Sequence, residues 1–464
     1  MNSAGETTPA GADLTAGPVA APAGVRGAGL PRGRTTMNRI DRAAVSRRGF
    51  MRASAAVTLA AAAPSRAQAT DSQRVRVGII GCRNRGWQLA QEFTGSGRFE
   101  VAALCDCDTA MHDRAMAELQ QRGVEIRPRL ITDFRRLLDD PAIDAVVIAA
   151  PDHWHALMTV MALEAGKHVF VEKPASYNIA DGRAMVAAAA RHPRLAVQVG
   201  TQQRSGPQFL AAREFVASGG LGKVDFCMGW ATFARGLVPR VPDAEPPETL
   251  DYEMWVGPAP MRPYNPQLHH YNWHFVRDWG TGDMGNWGAH WLDSIRHIMN
   301  LDLPTEVFAV GGRWADDAKE WPDTQTVHYS FPQAPVVWEL RSWKAYDLCG
   351  QSMGLQIRGE KGWIYVNRDH WEFHPREGPP VVHPGGDMTN AHAVAFAEAV
   401  AGRGRPAATI EDGHKSAILC HLGNLAAVLG RRLRFDPASE TVVNDDEAQA
   451  MTARPYRPPW RMPA

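Results

Sequence analysis

Hydrophobic and polar positions along the chain follow two regimes that meet near residue 202. In the first, short continuous apolar runs alternate with stretches whose apolar residues recur at helical spacing. AVVIAA at 145–150 is such a run, stopped by Pro151, and it suits a parallel strand buried on both faces. Leu157, Val160, Met161 and Leu163 then recur at helical spacing, and Gly166 ends that helix before HVFVE at 168–172 resumes a strand pattern. The stretch 145–174 therefore predicts a βαβ unit. Ligands in open α/β sheets sit beyond the carboxyl ends of the strands, so Asp152, His155, Glu172 and Lys173 are expected to share one crevice. RVRVGII at 74–80, FEVAALC at 99–105 and LAVQVG at 195–200 supply further strands.

Beyond residue 202 the pattern changes to alternating segments, VDFCMGW, TVHYSF, VVWELRSW and GLQIRG, separated by Pro and Gly clusters. These predict a largely antiparallel sheet, with helices at 209–217, 291–299, 392–400 and 416–429 packed against it. The fold class expected is α/β. A Rossmann domain over 70–202 precedes an α+β domain over 203–464 with a large open, mainly antiparallel sheet. The tail, RPYRPPWRMP, reads as an extended strap.

The first 45 residues are rich in Gly, Ala, Pro and Thr without periodicity, too little apolar surface to order a chain. They read as a disordered leader, or as residues ahead of a true start at Met37. SRRGFMR at 46–52, an Ala-rich apolar run at 53–63 and AQA at 67–69 resemble a twin-arginine export signal, so 46–69 is expected to be removed after export through that translocase. The apolar run is too short to span a bilayer, and no stable membrane insertion is expected. Lys plus Arg number 50 and so do Asp plus Glu, which removes the basic field a nucleic-acid partner would need. The six cysteines lack paired metal spacing and read as buried small hydrophobes.

Candidate chemistry starts at the turn after the first strand. Gly81 and Gly86 occupy the first and third glycine positions of a dinucleotide fingerprint, and Asp106 follows at the spacing of the acid that accepts from the adenosine ribose. NAD is favoured over NADP, because Asp106 repels a 2′-phosphate; NADP is not excluded. Arg83 stands where the second glycine is expected. It either holds phosphate or faces solvent on a shifted turn, while amides at Asn84 and Arg85 hold the anion. Loss of the cofactor site is the third outcome. Pro151, His155, Glu172 and Lys173 complete the expected cofactor side.

GKHVFVEKP at 166–174, following a strand that ends in Pro151 and preceded by VGIIG at 77–81, resembles the Gfo/Idh/MocA oxidoreductases, NAD(P)-dependent sugar and polyol dehydrogenases. The resemblance implies that Lys173 handles the substrate's hydroxyl proton, and that a partner subunit covers the open sheet in a homo-oligomer. The bland alternative for Lys173 is a strand-end ion pair with Glu172. NWHFVRDWGTGDMGNWGAHWLD at 272–293 extends the likeness, and His290 matches the family's catalytic histidine. Many members carry Asp where this chain has Asn286, an amide that can orient imidazole or bind a sugar hydroxyl. Asp283 is the nearest alternative acid. Trp273, Trp279, Trp287 and Trp291 cluster there, some to stack a sugar ring and some as core. His269, His270 and His274 lack a carboxylate or thiolate at ligand spacing, so no metal is expected. A carbohydrate oxidised by a tightly held nicotinamide cofactor is the function expected. The alternatives are redox-neutral glycoside cleavage through transient oxidation, as in the family's NAD-using glycosidases, and a non-catalytic sugar-binding protein.

Overall fold

The computed structural model describes residues 74–463, so the readings for 1–45 and 46–69 lie outside the described residues. The first half alternates strand and helix: β1 (Val75–Ile80), α1 (Asn84–Gly95), β2 (Phe99–Cys105), α2 (Thr109–Gln121), β3 (Arg129–Ile131), α3 (Phe134–Leu138), β4 (Ala145–Ile148), α4 (Asp152–Glu164), β5 (His168–Val171), α5 (Ile179–Arg191) and β6 (Val197–Val199). The six strands are parallel in the order β3-β2-β1-β4-β5-β6. Every residue of β4 is buried, as its unbroken apolar run requires. Gly166, at φ +75°, lets the chain leave α4 and turn into β5. The order reverses between β1 and β4, and that reversal opens the crevice in which ligands of this fold sit.

The second half carries α6 (Pro207–Ala217), β7 (Val224–Ala231), α7 (Tyr252–Val256), α8 (Ala289–Met299), β8 (Glu306–Gly312), β9 (Thr324–Ser330), β10 (Val336–Arg341), β11 (Met353–Gly359), β12 (Gly362–Val366), β13 (His370–Pro375), β14 (Val381–Pro384), α9 (Met388–Val400), α10 (Ile410–Leu429), β15 (Leu433–Asp436) and β16 (Thr441–Val443). Its ten-stranded sheet is antiparallel throughout except where β10 runs parallel to β7. Trp291, Leu292 and Ile295 of α8 share its core with Val307, Trp338, Leu355 and Ile357 from the strands. The helices begin earlier than apolar periodicity suggests, and at α9 and α10 polar caps set the start. Thr409 and Asp412 form a reciprocal capping box at the head of α10, and Asp387 accepts from two amides at the head of α9.

Three late or inserted segments return to the first sheet. Phe396 of α9 packs on Phe93, Phe99 and Phe170 with ring centroids 6.2, 6.0 and 5.7 Å away. The tail lies extended, with Trp460 edge-on to Trp154 at 4.8 Å and the Arg457 guanidinium donating to the carbonyls of Gly257 and Ala259. The long connection 232–282 reaches over β2: the Thr109 amide donates to Thr249 and the Asp251 amide to Cys107, both at 2.9 Å. This cover roofs the crevice. The described cysteines are all free, Cys82 and Cys105 included. No helix among the described residues is long and apolar enough to cross a membrane.

Candidate active site

A cavity of about 420 Å³ occupies the crevice, and it joins both expected halves of the site. Gly81, Arg83, Asn84, Arg85 and Asp106 line one end; Pro151, Asp152, His155, Glu172 and Lys173 line the middle; Trp273, Asn286, Trp287 and His290 line the other. Gly81 sits at φ +88°, and a Cβ there would lie 2.6 Å from the Ala149 carbonyl oxygen. At Gly86 a Cβ would lie 1.7 Å from the Gly81 carbonyl oxygen, so this glycine permits helix and strand to touch. No side chain caps α1, which leaves its first-turn amides facing the cavity end as an anion site. Arg83 turns its guanidinium toward the Tyr271 ring, 5.7 Å from the centroid. The Arg85 side chain instead donates to Glu172 and Glu92, each at 2.7 Å, which commits its guanidinium to those two carboxylates.

Asp106 accepts from the amides of Cys82 at 2.7 Å and Asp108 at 3.0 Å, which aims its carboxylate along the turn. Burial pushes its carboxyl upward and those two donors oppose the shift. An uncapped helix start, a glycine cradle and a held carboxylate fit pyrophosphate and ribose in turn. These residues would hold a nicotinamide dinucleotide, which supplies a hydride acceptor when bound.

Lys173 lies at the end of β5 with its Nζ donating to Asn286 twice, to Oδ1 at 2.7 Å and to the carbonyl oxygen at 3.0 Å. Asn286 is presented by a π-helical turn, Met284–Gly288, directly before α8. Burial lowers the Lys173 pKa, Glu172 and Asp152 oppose this, and Arg368 adds to it. Glu172 is drawn away from the lysine's ammonium by Arg85, so the bland ion-pair reading of Lys173 is not the arrangement found. Burial raises the Glu172 carboxyl, but Arg85 and Lys173 outweigh it and hold the group below its usual range. His290 is buried with no partner at Nδ1. Burial first, then the Arg368 and Lys173 charges, depress its pKa well below that of free imidazole.

Several expected residues do other work. Asp283 does not line the cavity; it is buried 3.3 Å from the Arg235 guanidinium, which faces in from the 232–282 cover. Of the two roles expected of Asn286, orienting the imidazole or binding a sugar hydroxyl, the first is not the contact found, since its side chain meets Lys173. His155 lines the cavity wall, but its Nδ1 and Nε2 face the carbonyls of Pro174 at 2.7 Å and Ala150 at 2.8 Å, tying α4 to the strand end. Trp279 and Trp291 are fully buried core, while Trp273 and Trp287 reach the cavity. His269 meets the Asn265 carbonyl, His270 meets Asp108 and His274 meets the Tyr271 carbonyl. Sequence reasoning missed Tyr271, Gln202 and above all Arg368, each lining the cavity. Arg368 lies in the turn between β12 and β13, inside an Asn-Arg-Asp stretch with no motif to mark it.

A Rossmann half that binds a dinucleotide, joined to an open-sheet half that closes the site with lysine, asparagine and histidine, defines a nicotinamide-dependent oxidoreductase architecture. The chain matches the Gfo/Idh/MocA oxidoreductase models, the NAD-binding Rossmann fold over 75–201 and the C-terminal alpha/beta domain over 225–328 and 382–462. It belongs to that family. A glycosyl hydrolase family 109 protein of Shewanella sp. (strain W3-18-1) is 37% identical over 109 residues, 23% of this chain and 24% of the relative. An inositol 2-dehydrogenase of Rubrobacter xylanophilus is 34% identical over 162 residues, 34% of this chain and 44% of the relative. Both matches span less than half of the relative's length. Among solved structures, an aldose-aldose oxidoreductase from Caulobacter crescentus complexed with glycerol superposes with a TM-score of 0.62 at 20% identity, covering 78% of this chain and 100% of that one. At that identity the likeness concerns fold.

Proposed function

We propose that this protein oxidises a ring or chain hydroxyl of a sugar or sugar derivative, passing hydride to a tightly held NAD. The observation that carries the reading is the pair of hydrogen bonds from Lys173 to Asn286. A neutral amine has two hydrogens and one lone pair. With both hydrogens held by Asn286, the lone pair is left for the proton of a substrate hydroxyl. Burial favours that neutral amine, and an amide in place of a carboxylate does not restore the charge. His290, kept neutral by burial, lines the same end of the cavity and would meet the same hydroxyl or its neighbour with its imidazole. Trp273 and Trp287 supply flat apolar faces for the ring. The roof formed by 232–282 supports retention of the cofactor between turnovers, so a second substrate would accept the hydride from NADH and reoxidise it in place.

The likeness to glycosyl hydrolase family 109 proteins favours one alternative, in which transient oxidation acidifies a neighbouring carbon, a glycosidic leaving group is eliminated, water adds and the carbonyl is reduced again. Mass spectrometry of the purified protein for bound NAD(H), followed by product analysis on free sugars and glycosides, decides between them. An oxidised sugar with accumulating NADH supports the dehydrogenase. A released aglycone with unchanged NAD supports cleavage. Neither product, with no bound dinucleotide, removes both readings in favour of a binding protein.

We also propose export through the twin-arginine route, on the basis of Arg47 and Arg48 ahead of the apolar run, and association of two or more copies through the open sheet, whose Phe308 and Val310 are exposed. Cytoplasmic retention of an Arg47→Lys, Arg48→Lys double variant tests the first. Sedimentation of the purified protein tests the second.

A further inference from the structure

The Arg368 guanidinium lines the substrate end of the cavity, 5.6 Å from the Trp287 ring centroid. Its Nε is buried without a partner, and no ion pair is formed by its side chain among the described residues. Burial, with Arg85 adding to it, lowers its pKa to about 10, while Asp369 and Glu172 oppose from a distance. Its charge in turn depresses both Lys173 and His290. Glu172 cannot answer it, because that carboxylate is held by Arg85. Asp152, the other acid in the middle of the cavity, accepts from the Thr281 amide and hydroxyl.

Arg368 is half-buried, with its Nε fully withdrawn from solvent; a partly desolvated cation without a counter-ion is unfavourable, and a fold retains one where a ligand completes the pair. The planar fork of arginine matches the two oxygens of a carboxylate or phosphate, whereas a sugar hydroxyl leaves the charge uncompensated. The pyrophosphate end of the cavity has its own uncapped helix amides, so Arg368 is not needed there. We infer that the substrate is an acidic sugar, whose carboxylate or phosphate pairs with Arg368 beside Trp287 while its reacting hydroxyl meets Lys173. This rests on the sugar-oxidoreductase reading and narrows it. The bound anion would also offset the push of Arg368 on the catalytic lysine and histidine.

The test uses the full protein with its dinucleotide bound, and reads binding by calorimetry and melting temperature apart from turnover. Glucose is paired with glucuronate and with glucose 6-phosphate, galactose with galacturonate, and acetate and inorganic phosphate serve as bare anions. The acidic member of a pair should bind at least about tenfold more tightly than its neutral partner. Which acid wins separates carboxylate from phosphate. Arg368→Gln should bring the acid-to-neutral ratio close to one at unchanged dinucleotide content, and Arg368→Lys, which keeps charge but loses the fork, should fall between. Neutral sugars binding as tightly as acidic ones, an absence of any anion effect on melting, or equal anion effects in the unaltered protein and Arg368→Gln each overturn the inference. So does loss of dinucleotide from both variants, since the arginine would then serve the cofactor. Arg368-dependent anion binding without NAD reduction by any sugar would leave the acidic site standing and count against the oxidoreductase reading instead. Reduction by neutral sugars with Arg368-independent binding would do the reverse.

Discussion

The two ends of the cavity are built in opposite ways. The dinucleotide end comes from one continuous stretch, β1 through β2, and works mainly through backbone: glycines that permit contact, amides at an uncapped helix start, and a carboxylate aimed by two amides. The substrate end is assembled from side chains that lie far apart in the chain, Lys173 just beyond β5, Asn286 and His290 around the π-turn, and Arg368 on a hairpin of the second sheet. A backbone site tolerates side-chain changes and fails when a Cβ is added. A side-chain site fails one functional group at a time.

The largest expected effect falls on the side-chain end. Lys173→Met keeps the length of the side chain but removes its proton acceptor, so single-turnover NAD reduction should slow by about two to four orders of magnitude with cofactor still bound. His290→Ala should act in the same direction, and the double variant should cost less than the sum of the two barriers if both serve one hydroxyl. Near-normal reduction in Lys173→Met would take the lysine out of the chemistry and erase the contrast between the two ends.

At the backbone end, Gly81→Ala should weaken NAD binding by about ten- to a hundredfold, because the added Cβ meets the Ala149 carbonyl at a φ of +88°. Equilibrium titration of dinucleotide-stripped protein reads this. Unchanged affinity would mean that the turn is not the anion cradle.

Asn286→Asp sharpens the comparison through pH. Burial lowers the Lys173 pKa in the folded enzyme, so the oxidation rate should rise with pH through a value below that of an ordinary lysine, as the ammonium loses its proton. A carboxylate in place of the amide favours the ammonium and moves that rising limb to higher pH, leaving a rate roughly tenfold lower near neutrality. A limb that stays in place would separate the titrating group from Lys173. The smallest effect is expected for Asp106→Ala, where the affinity gap between NAD and NADP should narrow by about three- to tenfold, read by titration with both dinucleotides. A starting preference for NADP would mean that Arg83 reaches the 2′-phosphate and that the acid does not exclude it.

The chain itself determined the first half almost completely. Buried parallel strands are written as unbroken apolar runs, the turn chemistry of Gly81, Gly86 and Asp106 is local, and the periodicity of α4 and β5 carries Lys173 to its position, because each of these features is decided by neighbours within a few residues. The helix starts were less legible, since Thr409 with Asp412 and Asp387 satisfy amides rather than bury apolar area. Only the tertiary structure decided how the polar groups pair. Arg85 takes Glu172 away from Lys173, the π-turn brings Asn286 to that lysine, Arg235 takes Asp283, and a hairpin distant in sequence brings Arg368 to Trp287. A buried charge is settled by whichever partner the fold places within about 3 to 4 Å, and that distance is a property of packing between elements, with no periodicity along the chain to announce it.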